Sequence, residues 1–414
     1  MPERLKTDAI WWFAALTGVA MMSWLALQGF AWNDYDTEVG AAFRALIDGD
    51  IRNFLALSPV YGGSLVLRSP FAAATAALGG GELAVYRAVS VPCVIAVALL
   101  GVSLVRRMGA QGRRNGARAL VLGLCVANPI TIRALEIGHP EELLCAALAI
   151  GAVLAACDRR TILAAVLLGL AIACKSWAVL AIGPVLVALP ERRILALGIA
   201  GAVTLAVLAP LLMTSSPQTF VQGTSTTGAI FQPWQVFWFL GDTGQVVIGG
   251  NGLPKPDGYR VPPDWLSPLT HPLIAFLVVP LSLAWARVHR AMRGGREQVL
   301  LLLALLLLLR CALDPWNISY YELPFLLALL AWEALCRPER LPIGALTATV
   351  LTWVTFETAP DHLSPDMQSV FFVAWALPLV IWLARTAFTP AATRAERADA
   401  PVPRGPVIAA VPQQ

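Results

Sequence analysis

Three carboxylates stand close together near the start of the chain, directly after an apolar run. Asp34, Asp36 and Glu38 follow the hydrophobic residues 10–30, and residues 39–47 then place apolar side chains at helical spacing. A carboxylate at the mouth of a membrane cavity can act as a general base, a step that typically contributes about 10²–10⁴-fold in rate. An ordinary acidic loop is the alternative explanation. The pattern therefore marks these three residues as candidates for proton transfer.

Cysteine and histidine do not occur at spacings typical of metal or redox sites. The seven cysteines fall in or at the ends of apolar segments, and none forms a C-x-x-C pair. Small apolar side chains packed between helices account for them. His271, His289 and His362 are widely separated. We therefore expect no metal ion and no other cofactor.

The composition requires membrane helices to position these residues. Of the 414 residues, 57% are hydrophobic and 14% are charged, whereas a soluble globular chain carries about 25% charged residues. Apolar runs of about 20 residues can cross a hydrocarbon core about 30 Å thick. A soluble enzyme, a disordered protein and a secreted disulfide scaffold are therefore excluded. The small net charge of +4, without a basic stripe between aromatic residues, argues against nucleic acid as a partner.

Apolar runs predict an all-α, polytopic bundle of about 12 transmembrane helices. We predict one membrane domain over residues 1–389, with extracytoplasmic loops at 31–82 and 214–269 and a disordered cytosolic tail at 390–414. The first loop is predicted to hold amphipathic helices that lie on the membrane interface. The fifth and sixth runs are short for full spans. The predicted spans are 10–30, 83–106, 117–133, 141–157, 161–174, 177–190, 193–213, 270–288, 297–313, 320–336, 341–357 and 368–388.

The distribution of basic residues predicts which side of the membrane each connection faces. Arginines collect in the even-numbered connections, for example 106–118, 159–160 and 192–193, and an excess of Lys and Arg is typical of cytoplasmic loops. Both termini are therefore predicted to be cytosolic, in the plasma (inner) membrane of a bacterium. The two long loops lie on the opposite side, where acidic residues concentrate, so the chemistry is predicted to be extracytoplasmic.

Four segments follow the order of motifs in the GT-C membrane glycosyltransferases, and the chain resembles that superfamily. The first is the acidic pair Asp34 and Asp36, followed by an A-x-x-A-L-x-x-G-D segment at 42–50. The others are NPITIRALEIGHPEELLCAAL at 128–148, GLAIACKSWAVLAIGPVLVALP at 169–190 and DPWNISYYELPFLLALL at 314–330. Within the superfamily, the chain is similar to actinobacterial α-mannosyltransferases that use polyprenyl-phosphate-mannose.

The resemblance implies an enzyme that transfers a hexose, here mannose, from a polyprenyl-phosphate donor to a cell-envelope glycan or glycolipid. The transfer would invert the anomeric centre, and Asp36, or failing that Asp34, would accept the proton of the acceptor hydroxyl. A monophosphate carrier leaves little for a metal to bridge. Many relatives carry a Tyr-Pro-Pro segment in the first loop, which this chain lacks, and the difference leaves the acceptor open.

The leaving group would be a lipid phosphate, so the resemblance directs attention to cations. Lys175, Arg310 and Arg133 are candidates because Lys and Arg suit phosphate. Each has another explanation. Lys175 lies between apolar stretches, where a charge costs about 2.5–3.5 kcal/mol, and it could snorkel to the interface. Arg310 could pair with Asp314, and Arg133 with Glu136.

His139 is a further candidate for the donor phosphate, with capping of the following helix as its alternative. Tyr320, Tyr321 and the aromatic residues of the run 231–238 could contact sugar rings, with anchoring of the chain at the interface as the alternative. The residues expected to contact the acceptor or the sugar are Glu38, Glu141, Tyr320, Tyr321 and Trp234.

Two other functions fit a polytopic chain. An arabinose or other sugar transferase would share the architecture, and a lipid-linked sugar flippase or transporter would also cross the membrane many times. Transport favours ionisable residues near mid-span and internal repeats, whereas here the acids concentrate on one face. An envelope assembly scaffold without catalysis is a third possibility.

Overall fold

Helices account for nearly all of the chain that the structure describes. The computed structural model describes residues 3–26, 34–59, 62–214, 231–242, 247–248, 254–255, 260–290 and 296–389. A two-residue antiparallel ladder joins β1 (Val247–Ile248) to β2 (Pro254–Lys255). The all-α class predicted from the sequence is confirmed, whereas the predicted tail at 390–414 lies outside the described residues. The α-helices are α1 (Glu3–Ala26), α2 (Ala41–Ile47), α3 (Ile51–Leu57), α4 (Gly63–Ala77), α5 (Glu82–Ala110), α6 (Asn115–Val126), α7 (Pro129–Ile137), α8 (Glu141–Cys157), α9 (Thr161–Cys174), α10 (Ile182–Ala188), α11 (Arg193–Thr214), α12 (Ser267–Val288), α13 (Val299–Leu313), α14 (Leu323–Cys336), α15 (Ile343–Trp353) and α16 (Pro365–Ala387).

Within the residues that the structure describes, five helical segments are long and apolar enough to cross a membrane: α5, α6 with α7, α11, α12 and α16. Three of these segments, α11, α12 and α16, expose most of their apolar side chains. Only 17% of the most apolar part of α11 is buried, and the corresponding values for α12 and α16 are 28% and 33%. Water would oppose so much exposed apolar surface, whereas lipid would not. The exposed surfaces of these helices support a membrane protein.

The centre of the bundle is formed by α5, α8, α13 and α14. Almost every side chain of α13 and α14 is buried, which is the pattern of a helix that is apolar all round and enclosed by other helices. α8 packs against α5, α9 and α14, and α5 also contacts α1, α4 and α6. The packing of these central helices fixes the positions of the helix ends that carry the polar side chains of the candidate site.

One predicted span, at 117–133, is divided in two. α6 ends at Val126, and α7 begins at Pro129 with Asn128 as its N-cap, whose side-chain oxygen accepts a hydrogen bond of 2.9 Å from the Ile130 amide. Proline disfavours helical conformation in the residue before it, and asparagine is a strong N-cap. The Asn-Pro pair therefore ends one helix and starts the next.

A second break lies in the short predicted hairpin of 161–190. Lys175 ends α9 in an extended conformation, with φ −150° and ψ 134°, and a 3₁₀ segment, Ser176–Ala181, leads into α10. The break explains why both apolar runs are short. It also places the lysine where the helical backbone is interrupted.

The described part of the predicted first loop, residues 34–59 and 62–82, is folded onto the bundle. It contains a π-helical turn, Tyr35–Gly40, which continues into α2. Tyr35 packs against Tyr86 of α5 at 4.9 Å between ring centroids and against Phe43 at 6.3 Å. The apolar face predicted for an interfacial helix thus packs against protein side chains, and this packing holds the acidic residues at the start of the segment.

Arg113, in the turn between α5 and α6, links that turn to the C-terminal end of α14. Its buried guanidinium donates to the carbonyl oxygens of Ala334, Arg337 and Arg340, at 3.0, 3.0 and 2.6 Å. The last carbonyls of a helix have no partner within the helix. Arg113 therefore donates to carbonyl oxygens at the end of α14 that lack a partner within the helix, and it connects this end to α5 and α6.

We expect Arg113→Gln to destabilise the protein by roughly 2 kcal/mol or more, because hydrogen bonds to a charged group contribute about 1.5–3 kcal/mol each. Thermal unfolding of the purified protein in detergent would measure the loss. Arg114→Gln removes the same charge from the neighbouring exposed position and is the control. Equal melting temperatures for the two variants would show that the three carbonyl contacts do not matter.

Candidate active site

A network of charged side chains connects four separate parts of the fold, and Glu141 is its centre. Its Oε1 lies 2.8 Å from His139 Nδ1 and 3.0 Å from Lys175 Nζ, and its Oε2 lies 3.3 Å from an Arg68 guanidinium nitrogen. His139 Nε2 lies 3.0 Å from Asp34 Oδ2. Glu141, His139 and Arg68 are buried. A buried carboxylate with three cationic partners is compensated in both charge and hydrogen bonding.

This arrangement depends on close contact between the backbone at Gly138 and the backbone at Tyr35. Gly138 ends α7 with φ +108°, in the left-handed region that favours glycine. A Cβ atom at this position would lie 2.6 Å from the Tyr35 amide nitrogen. Only a glycine therefore lets the end of α7 touch the π-helical turn, and the next residue, His139, comes to lie beside Asp34.

The break at Lys175 brings its ammonium group to the other side of the network. Besides Glu141, Nζ lies 3.5 Å from Glu142 Oε1, and the Trp177 indole nitrogen donates to Glu142 Oε2 at 2.9 Å. Glu142 is fully buried. Lys175 thus points at two glutamates at the start of α8 and does not extend along the surface as a snorkelling lysine would.

The electrostatics keep His139 positively charged. Burial lowers the pKa of its imidazole, but hydrogen bonds to Asp34 and Glu141 and the charge of Glu141 outweigh burial and raise the pKa from 6.5 to about 9. The ring also stacks on Tyr320, with 4.2 Å between centroids. His139 is therefore a cation at neutral pH that holds two carboxylates, and its side chain does not cap α8.

The three acidic residues of the first loop have different surroundings. Asp34 bonds His139. Glu38 has an exposed side chain, but its carboxyl is close to the network, where partial loss of hydration raises its pKa although His139 and Lys175 oppose the rise. Asp36 is exposed and has no hydrogen bond or ion pair with the residues that the structure describes.

Arg310 lies beside the network with a different set of partners. Its guanidinium donates to the Tyr321 carbonyl oxygen at 3.2 Å and stands over the rings of Tyr321, at 4.1 Å, and Trp177, at 5.6 Å. It is buried and does not pair with Asp314, whose carboxylate accepts from the Trp316 amide at 3.0 Å. In the described part of the chain, no carboxylate lies within ion-pair distance of Arg310.

Two of the predicted residues are bound elsewhere. Arg133 pairs with Glu357 at 2.9 Å and with Glu136 at 3.5 Å. The Trp234 ring packs against Phe356 at 4.8 Å. Neither side chain has a hydrogen bond or ion pair with the network. Tyr321, by contrast, meets both the network and Arg310, because its ring also packs edge-on against Tyr320 at 5.3 Å.

Arg68, Glu142 and Trp177 contact this network but were not predicted from the sequence as candidate site residues. Arg68 is an arginine within the apolar helix α4, where its Nε donates to the Ser64 carbonyl oxygen at 3.2 Å. An arginine in an apolar segment is itself a signal of a buried partner. Glu142 and Trp177 carry weaker signals, because acids at a helix start and aromatic residues near an interface are common.

The chain is an all-α protein with helices apolar enough to cross a membrane, and it holds a buried network of imidazole, carboxylate and ammonium groups close to Glu38. Clusters of titratable groups with shifted pKa values are typical of functional sites. Among the residues that the structure describes, no three His, Cys, Asp or Glu side chains are arranged to hold a metal ion.

A comparison with known families shows a more particular similarity. Residues 59–191, about a third of the chain, match the family model of the Alpha-(1->6)-mannopyranosyltransferase, N-terminal domain. The match confirms the resemblance to mannosyltransferases predicted from the sequence and supports a membrane glycosyltransferase. Neither the curated proteins nor the solved structures contain a significant match.

The matched segment runs from before α4 to the end of α10. It contains most of the network: Arg68, His139, Glu141, Glu142 and Lys175. Asp34 and Arg310 lie outside it. The family match and the network therefore overlap in the same helices.

We expect Gly138→Ala to lower the melting temperature by an amount equivalent to roughly 1–3 kcal/mol, because the new methyl group meets the Tyr35 backbone and φ is positive. Thermal unfolding in detergent would measure it. Gly123→Ala, in α6 with no atom within 4 Å of the added carbon, is the control and should be neutral or stabilising. An unchanged melting temperature for Gly138→Ala would contradict the close approach.

The pKa of His139 predicts a pH-dependent stability. Its folded-state pKa of about 9 lies above the unfolded value of 6.5, so its stabilisation is complete below pH 6.5 and is lost as the pH rises through 9. The difference corresponds to roughly 3 kcal/mol. Thermal unfolding between pH 6 and 10 should show a decline in the wild type that is absent in His139→Gln. The exposed His362→Gln is the control, and a decline retained in His139→Gln would assign the effect to another group.

Proposed function

We propose that this protein is a mannosyltransferase that moves mannose from a polyprenyl-phosphate donor to a glycan or glycolipid of the cell envelope. The family match supports the sugar and the reaction class. The proposed setting is a bundle of about 12 membrane helices in the bacterial inner membrane, with cytosolic termini. The carrier's tail would remain in the bilayer, while its head group enters the site on the extracytoplasmic side.

The reaction is a single displacement. The acceptor hydroxyl oxygen forms a bond to the anomeric carbon, on the face opposite the phosphate, and the bond from that carbon to the phosphate oxygen breaks. The phosphate keeps the electron pair, and the hydroxyl proton passes to a carboxylate. A phosphodiester with one negative charge thus becomes a phosphomonoester with two, and the anomeric configuration inverts. The site must therefore accept a proton and stabilise a new negative charge.

We assign the proton acceptor to Asp34, and one observation carries this assignment. Asp34 Oδ2 is bound to the His139 ring at 3.0 Å, which orients the carboxylate and leaves Oδ1 to receive the proton. A base must be oriented as well as ionised. Asp36, which the resemblance favoured, has no such partner. Glu38, with its raised pKa and exposed position, would bind a hydroxyl group of the acceptor or the sugar.

Arg310 and Lys175 would receive the phosphate. Arg310 is buried and has no carboxylate partner among the described residues, so its charge is available to an anion. Lys175 is shared between Glu141 and Glu142, and a phosphate near it would compete with those carboxylates. Hydrogen bonds from charged donors are about twice as strong as neutral ones, and guanidinium groups suit phosphate oxygens. Tyr320 and Tyr321, beside these cations, would pack on the sugar.

We expect Asp34→Asn to reduce the transfer rate by about 10²-fold or more, because the base is lost while the shape is kept. The measurement uses purified protein, radiolabelled polyprenyl-phosphate-mannose and a membrane lipid extract as acceptor. Asp36→Asn is the matched control, two residues away, and should retain most of the activity. Melting temperatures of both variants would show that each is folded. If Asp36→Asn loses activity and Asp34→Asn does not, the assignment is wrong.

A further inference from the structure

Two side chains of opposite charge, Glu142 and Arg310, lie near each other in the interior without forming an ion pair. Both are buried, and they are close enough for their charges to interact. The hydrogen bonds and ion pairs of Arg310 in the described part of the chain nevertheless include no Glu142 oxygen. Opposite charges attract each other most strongly where water is excluded. A structural feature must therefore hold these two groups apart.

The Trp177 indole contacts both of them. Its Nε1 donates a hydrogen bond of 2.9 Å to Glu142 Oε2, and the centroid of its ring lies 5.6 Å from the guanidinium carbon of Arg310. A guanidinium group is attracted to the face of a tryptophan ring within about 6 Å of its centroid. The indole thus binds the carboxylate with its edge and the guanidinium with its face, and each charge has a neutral partner in place of the other.

The backbone break after α9 fixes the position of the indole. Trp177 lies two residues after Lys175, in the 3₁₀ segment Ser176–Ala181, and the Ala178 amide donates to the Lys175 carbonyl oxygen at 3.1 Å. The side chain of Trp177 is buried. The same break that brings the Lys175 ammonium group to the glutamates of α8 therefore also brings the indole to Glu142.

Both charged groups lack the partners that a direct ion pair would supply. Glu142 Oε1 accepts no hydrogen bond from the residues that the structure describes, and it lies 3.5 Å from Lys175 Nζ. Arg310 donates to one carbonyl oxygen and otherwise faces aromatic rings. Buried polar atoms without a hydrogen bond are rare in native proteins and call for an explanation, which can be a catalytic role. Separation from Glu142 leaves the Arg310 guanidinium available to another anion.

We propose that Trp177 is a positioning residue whose indole holds the Glu142 carboxylate away from Arg310 and so keeps the guanidinium available for the phosphate of a prenyl phosphate. The inference rests on the proposed function, in which Arg310 receives the donor phosphate. Without the indole N–H, the Glu142 carboxylate is free to turn toward Arg310. Carboxylate and phosphate bind a guanidinium group through the same donors, so the new ion pair would compete with the ligand.

Binding of farnesyl phosphate to the purified full-length protein in detergent, measured by isothermal titration calorimetry, tests the proposal. Farnesol lacks the phosphate and reports the binding of the prenyl chain alone. We expect Trp177→Phe to weaken farnesyl phosphate binding about tenfold or more, because hydrogen bonds to a charged group account for that much affinity, and to leave farnesol binding unchanged. In the double variant Trp177→Phe with Glu142→Gln, affinity should return to within about threefold of the wild type, because the competing charge is gone.

Trp332→Phe is the matched control. The buried Trp332 indole donates to Gln298 Oε1 at 3.1 Å, and the Arg337 guanidinium lies 4.5 Å from the centroid of its ring. The substitution thus removes the same two kinds of contact near the other end of α14, and it should change farnesyl phosphate binding less than about twofold. Melting temperatures would show that the variants are folded.

Three results would overturn the inference: equal binding by Trp177→Phe and the wild type, an equal loss in the control, or a loss that Glu142→Gln does not restore. If Glu142→Gln does not fold, Glu142→Met takes its place, because it removes the charge and the buried polar atoms together.

Arg310→Gln separates this inference from the proposed function. Unchanged farnesyl phosphate binding in Arg310→Gln, or equal affinity of the wild type for farnesol and farnesyl phosphate, would show that Arg310 does not receive the phosphate and would overturn both. A loss in Arg310→Gln without a loss in Trp177→Phe would overturn the role of Trp177 alone.

Discussion

The cost of burying charge in a membrane protein is the constraint on which the rest of the site depends. Glu141 is almost fully buried at the start of an apolar helix, and it is tolerated because His139, Lys175 and Arg68 each approach one of its oxygens within 3.3 Å. Removing one partner from such a group leaves an uncompensated charge, which costs far more than the pair itself contributes. The elements that carry these side chains are thereby held to one arrangement.

That arrangement requires the helices to end at particular residues. A continuous helix satisfies its own backbone groups, and irregular backbone at membrane depth persists only where protein or a cavity satisfies it. The three interruptions, after Val126, at Gly138 and at Lys175, all occur between helices that contribute to the site or flank it. Asn128 caps one of them, and glycine allows the close approach at another. The polar site and the breaks are therefore consequences of the same packing.

Sequence patterns predicted the helical class and much of the set of residues, but not their partners. Lys175 and His139 were identifiable because a charge in an apolar segment and a Gly-His step before a helix are local signals. The sequence did not indicate whether Asp34 or Asp36 contacts His139, because that contact depends on a π-helical turn that changes the direction of each side chain and on the approach of α7. Arg68 reaches Glu141 across 73 positions of the chain, and no local pattern encodes such a pairing.

The balance of charge in the site also limits what it can bind. Asp34, Glu141 and Glu142 are matched by His139 and Lys175 through direct contacts, with Arg68 behind them. A second anion brought to this network would face carboxylates that already hold its cations. Arg310 differs because its contacts are a carbonyl oxygen and two aromatic faces, which leave its charge without a neutralising partner among the described residues. In the proposed reaction, the anionic leaving group would therefore lie on the Arg310 side and proton transfer would occur on the Asp34 side, with Tyr320 and Tyr321 between them.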